Sequence, residues 1–166
     1  MPFDPKDAAQ KASFVNFAYN MFKPGVLRPP VDPGIAAAGY QFRYYLNAKD
    51  FHATEFYGYI AESAATPGRY VLAIRGTQTL SEWLLDFSAI PVLFKPHPAA
   101  GFVALGFQSI FKTFQFFDAT NTARTLQQIV VDLAAKPAGI VEVLVVGHSL
   151  GAALSTLAAA ELGVNV

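Results

Sequence analysis

The run "VVGHSLGAAL", Val145 to Leu154, holds the side chains in this sequence best suited to covalent chemistry. Its centre, Gly147-His148-Ser149-Leu150-Gly151, is a G-x-S-x-G pattern. A sharp strand-to-helix turn can lift a serine hydroxyl above a sheet edge and set helix N–H groups beneath the place where an oxyanion would form. Gly147 and Gly151 suit such a turn, because a Cβ two positions before or after the serine would collide with its tight backbone. The chemistry this points to is nucleophilic attack by Ser149 on an acyl carbonyl. Five letters of this kind match by chance in about one chain in twenty of this length, so the flanking elements decide.

Those elements have the required order. "GIVEVLVVG" (Gly139 to Gly147) reads as a buried strand and Leu150 to Leu162 as a helix starting at its end. Upstream, Lys6 to Phe22 reads as an amphipathic helix and "KPGVLRPPVDPG" as an irregular connector. Tyr40–Leu46, Glu55–Glu62 and Arg69–Gly76 read as strands, the third buried because Val71 to Ile74 is continuously apolar. Leu80, Trp83, Leu84 and Phe87 then recur at helical spacing behind a Thr79/Glu82 capping box, and Pro91 stops any helix. Phe107, Ile110, Phe111, Phe114 and Phe117 form a second helical stripe, and Leu126, Ile129, Val130 and Leu133 a third. A strand, a long helical crossover and a strand running into a helix predict an α/β fold with a parallel sheet.

"LAIRGTQTLSEWLLDF" followed by "VVGHSLGAAL" resembles the class 3 lipase family of α/β-hydrolases, in which an R-G-[S/T] strand end, a W-x-x-D helix and a G-H-S-L-G elbow occur in that order. The resemblance runs from about Tyr70 to Leu162. "LGFQSIF" (Leu105 to Phe111) resembles a G-F segment of that family, with Ala104 where a histidine is common. The resemblance implies an α/β-hydrolase-type, mostly parallel sheet with flanking helices. It implies Ser149 as nucleophile, with Thr77 and Leu150 N–H groups as the oxyanion hole and Gly147, His148 and Gly151 supporting the elbow. It implies a lipid ester substrate met at a lipid–water interface, and no metal or organic cofactor. The helix carrying Leu80, Trp83, Leu84 and Phe87 is a candidate lid over an acyl groove, and packing on the sheet accounts for the same stripe equally well. Asp86 precedes the serine, whereas α/β-hydrolases place the triad acid after it, so an ion pair with a cation such as Arg75 suits it better.

A serine nucleophile needs an imidazole to take its proton and a carboxylate to orient that imidazole. After Ser149 the sequence contains neither histidine nor aspartate. His148 adjoins the serine and cannot easily fold back on it, while His52 and His97 read as solvated or structural. The expectation is therefore that residues 1–166 are the N-terminal portion of one lipase-like domain, incomplete on the C-terminal side, with acid and base beyond Val166. By itself such a chain should turn over little or nothing.

Composition agrees with this expectation. Of 166 residues 53% are apolar and 14% charged, against roughly 25% charged in ordinary soluble domains. A sheet cut midway would leave an open edge and uncovered apolar faces, favouring self-association. The 12 basic and 12 acidic residues balance, which argues against a nucleic-acid footprint. The absence of cysteine excludes disulfides and thiolate chemistry. Val143 to Ala160 carries no charge over 18 positions, but glycines, histidine and serine interrupt it midway, so strand-turn-helix explains it better than a membrane span. Charges at Asp4, Lys6, Asp7 and Lys11 leave no signal-peptide core, so a cytoplasmic location is the default and secretion by another route stays open. Two other readings fit the same scaffold: an acyltransferase or phospholipase, and a non-catalytic lipid-binding or interaction module.

Overall fold

Phe14, Val15, Ala18 and Met21 recur at helical spacing and are buried, and they lie on helix α1, Pro5–Met21. A computed structural model describes residues 5–50, 53–77, 88–96 and 98–165. The proline-rich connector is irregular as expected, except at its end. There the Asp32 carboxylate accepts the Gly34 N–H at 2.7 Å, and Pro33, with its φ preset, opens the short helix α2, Pro33–Ala37.

The three expected strands are present as β1 (Tyr40–Lys49), β2 (Thr54–Ser63) and β3 (Arg69–Ile74). A small hairpin follows, β4 (Pro91–Leu93) against β5 (Phe102–Ala104). Helix α3 (Leu105–Phe111) leads to β6 (Gln115–Phe117) and β7 (Ala123–Arg124). Helix α4 (Leu126–Ala134) begins at a reciprocal Thr125/Gln128 capping box and buries Leu126, Ile129, Val130 and Leu133, the stripe read from the sequence. Strand β8 (Glu142–Gly147) and helix α5 (Leu150–Asn165) complete the described chain.

The main sheet runs β7-β6-β1-β2-β3-β8. Its fold class is mixed α/β with flanking helices, but the mostly parallel sheet expected from the sequence is not what forms. Among the described residues only the β3/β8 pair is parallel, and the other pairings are antiparallel. The connections explain this: residues 50–53 and 64–68 are far too short for crossovers, so β1, β2 and β3 meander. A second difference lies in the phenylalanine stripe. Helix α3 stops at Phe111, and Phe116 and Phe117 instead pair with Leu46 and Tyr45 of β1. A third concerns β8, which is half-buried rather than buried because it has a strand partner on one side among the described residues.

Alternation on β3 divides the core. Tyr70, Leu72 and Ile74 face a cluster with α3, α4 and α5, while Val71 and Ala73 face Phe14, Ala18, Met21 and Ile35 from α1 and α2. The continuously apolar run is thus buried on both faces, as a central strand requires.

Candidate active site

The register of the parallel β3/β8 pair builds the site. Ile74 of β3 lies opposite Gly147 of β8, so Arg75-Gly76-Thr77 and His148-Ser149-Leu150 leave the sheet side by side. Ser149 has φ 55°, a left-handed conformation that costs a non-glycine residue roughly 1–3 kcal/mol, and its side chain is exposed. Leu150 begins α5, where first-turn N–H groups have no partner within the helix and the dipole presents its positive end.

Both elbow glycines sit where no side chain fits. A Cβ on Gly147 would strike the Gly151 carbonyl oxygen and Ser155 Oγ, and one on Gly151 would strike the carbonyl oxygen of Ile74 and come within 2.6 Å of that of Arg75. The turn is therefore pressed against the end of β3. Gly76 completes the contact from the other side: a Cβ there would lie 2.7 Å from the His148 carbonyl oxygen and 3.1 Å from Ser149 Cβ.

Two side chains hold Gly76. Arg75, 1% exposed, donates to the Gly76 carbonyl at 2.8 Å, to the Phe56 carbonyl at 2.7 Å and to Glu55 at 2.9 Å. Its guanidinium stacks over the Phe22 ring at 3.6 Å. Burial pulls the Arg75 pKa below its ordinary value and the bond to Glu55 opposes that, so the group stays charged in the working pH range. On the other side, the Gly76 N–H donates to the Tyr19 hydroxyl at 2.9 Å, and the Tyr19 oxygen lies 3.2 Å from His148 Nδ1.

The sequence-predicted residues Ser149, Leu150, Gly147, His148, Gly151 and Thr77 thus come together at one end of β3 and β8. Leu80, Trp83, Leu84, Phe87 and Asp86 lie outside the described residues, as do His52 and His97. Sequence reasoning missed Tyr19 and Glu55. Nothing local marks them, since Tyr19 meets Gly76 across 57 positions and His148 across 129. Among the described residues no cluster of His, Cys, Asp and Glu could hold a metal ion, and no helix is long and apolar enough to cross a membrane.

Residues 71–166 match the family model described as Lipase (class 3). Similar proteins include phospholipase A1-II 2 of Oryza sativa subsp. indica, 32% identical over 136 residues, covering 70% of this chain and 34% of the relative. They also include secreted mono- and diacylglycerol lipase A of Penicillium cyclopium, 34% identical over 135 residues, covering 81% of this chain and 38% of the relative. The chain spans about a third of the length of these relatives.

Proposed function

Because the chain belongs to the class 3 lipase family, we propose that it carries the nucleophile and oxyanion half of a serine-dependent lipid-ester hydrolase. The observation that carries this reading is the exposed Ser149 at φ 55° in the turn immediately before α5, against the strand end that bears Thr77. Ser149 Oγ bonds to the ester carbonyl carbon, and its proton passes to an imidazole. The carbonyl oxygen becomes an oxyanion facing the N–H groups of Thr77 and Leu150. Collapse breaks the carbon–oxygen bond to the alcohol, which leaves protonated, and water then releases the acyl group as a carboxylic acid.

Among the described residues no imidazole is placed to take that proton. No histidine or aspartate follows Ser149, and the Nδ1 of His148 faces Tyr19. On this reading the described residues supply the nucleophile and the oxyanion donors, and the proton acceptor comes from outside them. The same observation favours a second reading, a lipid-binding module that keeps the scaffold without the triad. Relatives named for phospholipase A1 and for mono- and diacylglycerol lipase make both phospholipids and acylglycerols substrate classes to test.

The test assays the protein expressed from its complete reading frame on p-nitrophenyl esters, acylglycerols and phospholipids. Turnover that Ser149→Ala abolishes, with fluorophosphonate labelling at Ser149, is expected. Fatty acid binding without turnover or labelling would instead support the lipid-binding module. Residues 1–166 alone are expected to give no Ser149-dependent turnover.

A further inference from the structure

We infer that Tyr19 is a positioning residue that fixes the spacing between the strand end bearing Thr77 and the elbow bearing Ser149, an inference that rests on the roles given to those two residues above. The Gly76 N–H donates to the Tyr19 oxygen at 2.9 Å, and His148 Nδ1 lies 3.2 Å from that oxygen. A backbone N–H can only donate, so the hydroxyl oxygen accepts there; its own proton is not used in that bond, and in the inferred bridge it is donated to Nδ1. This direction makes neutral His148 the Nε2–H tautomer. The two rings stand edge to face, with centroids 6.1 Å apart.

Gly76 immediately precedes Thr77, and His148 immediately precedes Ser149. Each end of the bridge is therefore one residue from a group that must face the same carbonyl. If Gly76 slides relative to His148, the Thr77 N–H moves relative to Ser149 Oγ, and a misplacement of about 1 Å can cost on the order of a hundredfold in rate. Tyr19 is well placed to prevent this because α1 is anchored in the core by Phe14, Ala18 and Met21, and the Tyr59 hydroxyl donates to the Phe14 carbonyl at 3.0 Å. The fit is close: even a methyl group on Gly76 would come within 2.6 Å of the Tyr19 oxygen.

The test uses the protein expressed from its complete reading frame and Tyr19→Phe, which removes one oxygen and keeps the ring. In the unsubstituted protein, 15N shifts at alkaline pH should report the Nε2–H tautomer of His148, and the Gly76 amide should exchange slowly. Tyr19→Phe should mix the tautomers, speed Gly76 exchange about tenfold or more, and lower kcat roughly 10- to 100-fold at unchanged KM. His148→Asn, whose Oδ1 can accept in place of Nδ1, should keep most of kcat. His148→Leu should fall as far as Tyr19→Phe, and the double variant no further.

An unchanged tautomer and exchange rate in Tyr19→Phe, an unchanged kcat, or a His148→Asn as slow as His148→Leu would overturn the inference. Should Tyr19→Phe fail to fold, the two histidine variants decide. Should the unsubstituted protein hydrolyse no ester, the functional reading fails, while the tautomer and exchange measurements still decide whether the bridge exists.

Discussion

Ser149 occupies a backbone region that L-residues avoid, and the surrounding contacts are what keep it there. The Gly151 backbone sits against the carbonyls of Ile74 and Arg75, and Gly76 sits against Ser149 Cβ, so the turn cannot relax without parting β3 from the elbow. Replacing Ser149 by glycine should release the strain at φ 55° and stabilise the fold by about 1 kcal/mol relative to Ser149→Ala. Chemical denaturation of the two variants measures this, and a glycine variant no more stable than the alanine variant would show the turn to be unstrained. Arg75 makes the complementary case. Its planar fork reaches two carbonyls and the Glu55 carboxylate at once, which a lysine ammonium cannot do. Arg75→Lys should cost about 2–3 kcal/mol, since buried carbonyls of Phe56 and Gly76 lose their donors. In denaturation a loss below about 0.5 kcal/mol would place those carbonyls in reach of another donor.

At the level of elements, Glu62 ties β2 to its neighbours. It accepts from Arg43 on β1 at 2.9 Å, from the Tyr70 hydroxyl on β3 at 3.1 Å and from the Gly68 N–H at 3.2 Å, with Lys136 at 3.6 Å. Burial raises the Glu62 pKa, but the Gly68 N–H, Lys136, Tyr70 and Arg43 outweigh it and hold the carboxyl below the ordinary glutamate value. A lowered folded value means that the carboxylate stabilises the fold fully above the unfolded pKa of about 4.3, and that this is lost as pH falls through the folded value. Tm should therefore drop on acidification below about pH 5, and Glu62→Gln should lower Tm at neutral pH while flattening that drop. A parallel acid slope in both proteins would remove Glu62 from the account. The same scale shows what the sequence discloses and what it hides. The elbow, its strand and its helix are legible because a buried apolar run, two glycines and an alanine-rich stretch are local signals. The direction of β1 and β2 is legible only through the short connections at 50–53 and 64–68, a signal that the β-helix-β pattern further along outweighed. Phe114 and Phe117 mislead because their spacing continues the helical stripe, while pairing of Phe116 and Phe117 with β1 overrides it. Tyr19, Glu55 and the Gly76 clamp are contacts across the fold, and no pattern within one element announces them.

Considered whole, the molecule has two sheet edges of different character among its described residues. At one end β7 is two residues long, and Arg124 upon it is engaged with Asp118 and Asp132, which blunts it. At the other end β8 is six residues of mainly branched apolar side chains, paired only with β3. Grooves flank it on both faces: one of about 800 Å³ between α1 and Val145, Val146 and His148, and one of about 230 Å³ beside Val143, Val145, Ala159 and Leu162. Open backbone donors and acceptors beside apolar walls form a template for another strand, and the low charged fraction of 14% leaves little to repel one. Residues 1–166 by themselves should therefore self-associate through β8. Light scattering should show mass rising with protein concentration, and amides of β8 should exchange fast when dilute and slowly when concentrated, with those of β1 and β2 unchanged. A monodisperse monomer whose β8 amides exchange at the same rate across concentrations would mean that this edge is already covered within a single chain.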